Sequence, residues 1–410
     1  MPGLRPYPAE ASRPPDGAAP TDWLAAGAAI ASITAVGIAL GLGLPLLSIV
    51  LERRGISATL IGANTAVAGI ASLIAAPLVT PIARALSVRV TMLCAILLAG
   101  ASALAFYYVT AFWLWFPLRL ALHFAITVLF VLSEFWISAA APPHRRGFML
   151  GIYATVLSLG FAVGPLIFGV VGSTGVLPFA IGSGVILFAA LPLFAAWSRQ
   201  PHIEAGASAA FWRHVLAVPT ATGAVLVFGA VEAGGFALFP VFGGRVGFSE
   251  AGAAQLLTAV GLGNMLLQIP IGLVSDRVRD RRSLLALFAV VGLVGALCLP
   301  LLVEDWWLMA TVLFFWGGVV AGLYTVGLAH LGSRLSGTEL ASANAAFVFC
   351  YSAGMLVGPQ AMGGFMDGFG PNGFAYALAL FFALYLVLTI LRLGFGRRRA
   401  LGLQKRAQQD

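Results

Sequence analysis

Charge is scarce in this chain, and the scarcity decides its class. Of 410 residues only 9% are Asp, Glu, Lys or Arg, against 60% hydrophobic. A water-soluble domain carries about a quarter charged residues, so most of this surface has to face lipid. Cysteine is nearly absent. Cys94, Cys298 and Cys350 sit far apart inside apolar runs, which offers neither a metal spacing nor a disulfide framework and leaves them as small core residues. No Walker loop or other nucleotide motif occurs, so ATP hydrolysis within this chain is not the energy source. No nucleophile–base pair can be argued either, and we expect neither enzymatic activity nor a cofactor or metal. The longest interior connection, 198–218, is too short for a catalytic domain.

What the chain does have is twelve apolar runs of membrane-spanning length, about 20 residues per crossing. The spacing predicts helices over 22–50, 59–80, 90–110, 113–138, 147–171 and 178–197, which form a first half, 22–197. A second half, 219–393, follows, with helices over 219–243, 251–274, 283–303, 306–332, 340–365 and 374–393. Residues 1–21, rich in Pro and Ala, are expected to be a disordered tail without the short apolar core and cleavage site of a signal peptide. Residues 394–410 read as a basic tail.

The formal charge of +8 reports orientation, not nucleic-acid binding. All but four of the 23 Lys and Arg fall on segments at the end that bears the termini. Arg53, Arg54 and Arg245 lie at the other end and Arg119 lies within the membrane. Cytoplasmic loops carry such an excess, so both termini are expected in the cytoplasm of an inner or plasma membrane. Arg397, Arg398, Arg399, Lys405 and Arg406 are placed to touch anionic lipid heads.

The chain repeats itself. Gly160-x3-Gly164-Pro165-x3-Gly169 recurs as Gly354-x3-Gly358-Pro359-x3-Gly363, displaced by 194 positions. With a one-residue gap, Pro45 matches Pro240 and Leu78-Val79-Thr80 matches Leu273-Val274-Ser275. Gly37, Gly41 and Gly43 loosen the first helix, as Gly234 and Gly235 loosen the seventh. Paired interruptions of this kind point to a substrate cavity between two halves, or else to close helix packing.

Several stretches resemble the major facilitator superfamily across nearly the whole chain. Gly272-Leu-Val-Ser-Asp276-Arg277-Val-Arg279-Asp280-Arg281-Arg282 is similar to its cytoplasmic signature after helix 8, with Arg279 where Gly is usual and one residue inserted. The counterpart Thr80-Pro81-Ile82-Ala83-Arg84 lacks the Asp. Gly160 to Gly169 resembles the helix-5 motif of proton-driven exporters. Glu134-Phe135-Trp136 with Pro142 and Arg145-Arg146-Gly147 resembles a bacterial subgroup of small-molecule transporters, as does the stretch from Gly322 through Asn344 to Gly364 and Asp367. The resemblance implies an all-α carrier of two six-helix halves in a bacterial inner membrane, with export favoured.

The ionisable residues within the membrane are the candidate site. Arg119, His123 and Glu134 share one narrow stripe of helix 4 that spans about 22 Å. A charge in hydrocarbon costs roughly 2.5–3.5 kcal/mol on insertion scales, so the stripe should face a wet cavity or a partner. Burial disfavours the charge on Glu232, which makes it a candidate proton carrier. The alternative is a static ion pair between Glu232 and Arg119 across the halves. His123 reads as a relay or a packing residue. Asn264 and Gln268 read as cargo ligands or as glue between helices. Glu134 is expected to serve as a gate or structural partner of Arg145 or Arg146. Asp276 is expected to hold Arg277 or Arg281 and to reach a helix end of the other half, forming a cytoplasmic gate, or else to belong to a solvated loop. His330 lies near the cytoplasmic end of helix 10, the repeat equivalent of helix 4, and is expected at the solvated boundary. Trp113, Trp115, Trp306 and Trp307 are expected in an aromatic belt.

The expected function is export of a small amphipathic molecule in exchange for protons by a monomer, with uptake by symport as the first alternative. A non-transporting receptor or scaffold is the alternative of another class.

Overall fold

A computed structural model describes residues 22–141, 145–199, 201, 215, 218–278, 280–333 and 337–407. Twelve of the described helices are long and apolar enough to cross a membrane. The first six are α1 (Trp23–Arg53), α2 (Ala58–Leu86), α3 (Val88–Tyr108), α4 (Trp115–Ala140), α5 (Arg146–Val171) and α6 (Leu177–Ala195). The second six are α7 (Pro219–Arg245), α8 (Glu250–Arg277), α9 (Arg281–Cys298), α10 (Trp306–Gly332), α11 (Gly337–Phe369) and α12 (Gly373–Ala407). The chain is a multi-pass, all-α membrane protein. Asp22, Ser57, Ser249, Asp280 and Asp305 each cap a helix by accepting a backbone N–H, which is why these helices start where they do.

The expected spans hold to within a few residues at most ends. Two helices run longer. The second helix, expected over 59–80, continues to Leu86 with Pro77 and Pro81 inside it. The last helix continues through the expected tail to Ala407. The expected tail at 1–21 and most of the connection 198–218 lie outside the described residues.

The repeat is visible in the packing. In the first half α1 packs on α5, α2 on α4 and α3 on α6; in the second, α7 packs on α11, α8 on α10 and α9 on α12. Between halves α2 meets α11, α5 meets α8 and α1 meets α7. A two-fold operation that turns α2 into α8 also turns α11 into α5, so the two large cross-half contacts are copies of each other.

Glycine makes these contacts possible. A Cβ on Gly164 would lie 2.5 Å from the backbone of Gly41 and Leu42, and one on Gly160 would lie 2.7 Å from Gly37. Their repeat mates Gly354 and Gly358 press against Leu226 and Ala230 of α7. Gly169 and Gly363 do something different. They face the other half, against Ala254 of α8 and Ala58 of α2. The prolines Pro165 and Pro359 lie inside α5 and α11, and Pro359 supplies the carbonyl that Gly62 of α2 approaches. Each copy of the motif therefore builds its own half and then touches the opposite one.

Three smaller expectations change. Trp113 and Trp307 are exposed as a belt requires, but Trp115 is fully buried, with Nε1 donating to the Val109 carbonyl at 2.9 Å. Cys350 is buried, whereas Cys94 is exposed on the outer surface. His330 is buried at 4% exposure and is not at a solvated boundary.

Gly164→Leu should cost at least the 1–3 kcal/mol typical of overpacking, because backbone atoms cannot swing aside. Gly151→Ala on the same helix, where a Cβ meets nothing within 4 Å, should be neutral. Thermal unfolding of both variants in detergent checks the contrast. Equal melting temperatures would mean that α5 does not pack on α1.

Candidate functional site

The two halves are tied together at the end remote from the termini. Arg245, at the end of α7, donates to both carboxylate oxygens of Glu52 on α1, at 2.8 and 3.1 Å. It also lies 3.8 Å from Asp367 at the end of α11. Asp367 in turn accepts from the Ala58 and Thr59 N–H groups at 3.1 and 2.8 Å. Those are free amides at the N-terminus of α2, where the helix dipole favours an anion. A second link joins Arg53 to Glu250 at 2.5 Å, and Glu250 accepts from Ser173 at 3.1 Å. These cross-half ion pairs and hydrogen bonds all lie at the remote end, and they hold the two halves together there.

Glu232 lies midway along α7. Tyr351 of α11 donates its phenol to Glu232 Oε2 at 2.5 Å. On the remote side of Glu232 is a small crevice, open on one side. Its walls are apolar and aromatic apart from Glu232 and Asn264, with Phe236, Phe239, Trp316 and Phe374 among them. Gly235 lines the crevice, while Gly234 packs against Met362. The loosened segment of α7 thus serves the cavity on one face and packing on the other. Asn264 accepts from Gln268 at 2.7 Å, and Gln268 accepts from Thr325 of α10. Gln268, the member of the pair nearer the termini, is thus held by the neighbouring helix.

Arg119 is placed elsewhere. No ion pair joins it to Glu232. It is fully buried in a seam between α2 and α4, where its Nε donates to Asn64 Oδ1 at 3.1 Å and its guanidinium lies 6.0 Å from the Phe106 ring centre. One turn deeper, His123 Nδ1 contacts the Arg119 carbonyl at 3.3 Å. Thr127 and Ser72 continue the polar line. Among the described residues both Nη atoms of Arg119, Nδ2 of Asn64 and Nε2 of His123 lack hydrogen-bond partners. Arg119 and His123 therefore form one group, and Glu232 belongs to another.

The expected cytoplasmic cluster is only partly assembled. Asp276 pairs with Arg281 at 3.2 Å and is 74% exposed, and Arg281 also donates to Ser275. Arg277 is exposed. No described contact carries Asp276 to the other half. The tighter pair at this turn was not anticipated: Arg282 clamps Asp280 at 2.8 Å, and that hydrogen bond holds Asp280 below the usual carboxylate range. Glu134 makes no ion pair with Arg145, which is exposed, and the side chain of Arg146 lies outside the described residues.

The sequence reading missed Tyr351, Tyr324 and Phe228. Tyr351 had a signal. It precedes Gly354 by three residues and Gly358 by seven, so it shares the face that packs on α7. Asn64, the partner of Arg119, had none, because the rotation of α2 against α4 is a tertiary result.

The fold and this arrangement have known counterparts. The profile of the Major Facilitator Superfamily matches residues 25–263 and 235–409. The uncharacterised MFS-type transporter YfkF of Bacillus subtilis is 27% identical over 352 residues, 84% of this chain and 89% of that one. The uncharacterised MFS-type transporter YE1530 of Yersinia enterocolitica is 26% identical over 289 residues, 68% of this chain and 72% of that one. Among solved structures, a point mutant of the nucleoside transporter NupG superposes with a TM-score of 0.71 at 16% identity, covering 90% of this chain and 98% of that one. A bacterial homologue of the human lysosomal transporter Spinster, inward-facing and unoccupied, gives 0.66 at 16% identity, covering 92% and 96%. At such identity the structures speak for the fold alone. Profile and relatives together decide the family: the chain is a transporter that belongs to the Major Facilitator Superfamily.

Proposed function

We propose that the protein exports a small amphipathic molecule in exchange for protons by alternating access. The observation that carries this reading is Glu232, an acid at mid-membrane depth that lines a crevice of otherwise apolar and aromatic character. An ionisable group at that depth is costly and is kept for function. Proton uptake and cargo binding then compete for one carboxyl.

The charge asymmetry supports a bacterial inner membrane with both termini in the cytoplasm. The tied remote end then faces outward, and we read the opposite end as the one that opens to the cytoplasm, the state in which an exporter collects cargo. Asp276 and Asp367 act as opposite gates. Asp367 latches the outer end of α2 in the present state. Asp276, exposed here, is available to bind across the halves when the rocking motion closes the cytoplasmic side. Exposed pairs contribute about 0.2–1 kcal/mol each, enough to bias two states without locking either.

Three outcomes are expected. A fluorescent reporter fused to the C-terminus should light up in the cytoplasm; an outside signal would invert the gates assigned above. Glu232→Gln should abolish transport driven by a pH gradient in vesicles yet keep substrate exchange, since the amide preserves shape. Unchanged gradient-driven transport in that variant would remove Glu232 from the coupling. In a background without native cysteines, Gly235→Cys reports access to the crevice. Asp367→Asn should raise its labelling by an impermeant maleimide from outside by roughly fivefold, the population shift of about 1 kcal/mol, and Asp276→Asn should lower it. Identical labelling in both variants would reduce the two aspartates to surface pairing.

A further inference from the structure

Glu232 faces two unlike surroundings. On the remote side is the apolar crevice. On the side toward the termini three rings close in: Phe228 one turn along α7, Tyr324 from α10 and Tyr351 from α11. Phe228 lies 5.6 Å from Tyr324 and 6.1 Å from Tyr351, centre to centre, and the two tyrosines are 6.4 Å apart. Phe347 backs Tyr324 at 5.3 Å. Rings at these distances pack on one another, so no solute fits among them. Two of them carry hydroxyls, however, and a proton travels on hydroxyls without needing a cavity.

The polar groups fall in order of depth. At 1.5 Å per residue Glu134 is about 9 Å from the end of α4 nearest the termini, and Tyr324 about 12 Å from that end of α10. Glu232 is about 20 Å from that end of α7. Tyr351 bonds Glu232 directly, donating to Oε2 at 2.5 Å. Tyr324 is within electrostatic range of Glu232 and also of Glu134, which comes from the opposite half and is exposed. Tyr153 of α5 is near Glu134 and Tyr324 as well, but its hydroxyl is already engaged by Ser133 at 3.0 Å and by the Phe130 carbonyl at 3.1 Å. Cys350 shares the apolar cluster of the two tyrosines, and a thiol is a weak donor and acceptor. His123 lies off this line beside Arg119, and His330 lies near Asp280. Among the described residues no ion pair engages Glu134, so its carboxylate is available to take a proton. Tyr324 is the step between the two acids.

We propose that Glu134 is the relay acid through which Glu232 exchanges its proton with the side of the termini, with the Tyr324 hydroxyl between them. When Glu232 gives up its proton, a water molecule passes it to the Tyr324 oxygen. Tyr324 hands its own hydrogen through a second water to the Glu134 carboxylate. One O–H bond forms and one breaks at each station, so the phenol and both waters end neutral and only the two acids change charge. Glu134, exposed, then releases the proton to bulk water. This inference rests on the reading of Glu232 as the proton site and adds the route by which that proton leaves.

The test is a pH jump on the full chain in lipid nanodiscs, followed by time-resolved infrared absorption. The Glu232 carboxyl is read as the C=O band that Glu232→Gln removes. Glu134→Gln and Tyr324→Phe should each slow the rise and fall of that band by roughly tenfold or more, while leaving its amplitude. Glu134→Asp should keep the rate, which separates a lost carboxyl from a lost fold. Formate, a small mobile carboxylate, should restore the rate in Glu134→Gln, a rescue that a merely structural role for Glu134 would not allow. An unslowed band in Glu134→Gln or Tyr324→Phe, or slowing in Glu134→Gln that formate does not repair, would overturn the relay and leave Glu232 as the proton site. If no titrating band vanishes in Glu232→Gln, Glu232 is not the proton site, and the reading beneath the relay falls with it.

Discussion

Lipid tails are as apolar as leucine, so twelve membrane helices gain little by hiding apolar side chains from one another, and backbone approach at glycine has to join them. Gly160 and Gly164 bring α5 onto α1, and Gly354 and Gly358 bring α11 onto α7. The next members of the same motifs, Gly169 and Gly363, meet the opposite half. One sequence pattern thereby sets both the interior of each half and the seam between the halves.

Polar chemistry is distributed against that background with little redundancy. The remote end carries the cross-half pairs Arg245–Glu52 and Arg53–Glu250 and the Asp367 latch on α2. The membrane interior carries two separate groups, one around Arg119 in the first half and one around Glu232 in the second. Their separation matters for mechanism. A direct pair would neutralise both residues and remove each from use. Apart, Glu232 is left beside aromatic rings and a crevice, while Arg119 is sealed against Asn64 and Phe106.

The repeat also shows where symmetry ends. Each half holds a crevice, the first lined by α1, α3, α4 and α6 and the second by α7, α8, α10 and α12 with Leu299 just beyond α9. The first is lined by apolar side chains and two glycines, with no counterpart of Glu232. The equivalent helices α4 and α10 diverge in the same way near the end that bears the termini, where one carries the exposed Glu134 and the other the buried His330.

Class, crossing number and repeat followed from the sequence alone, because each is written in local terms: run length, charge scarcity and the spacing of Gly and Pro. The pairing of Gln268 with Asn264 was also readable, since i and i+4 share a helix face whatever surrounds them. Which of Arg119's possible partners it takes was not, because that depends on the rotation of α2 and α7 about their axes. Trp115 likewise read as a belt residue and is buried, since its neighbours Arg54 and Phe106 arrive from other helices. The gate tells the same lesson. Asp276 stands in a recognisable motif, but the motif does not name its partner, and the tertiary structure pairs it with Arg281 of its own half. Local periodicity determined what this chain is built from; only helix rotation and the tilt of one half against the other decided which charges meet.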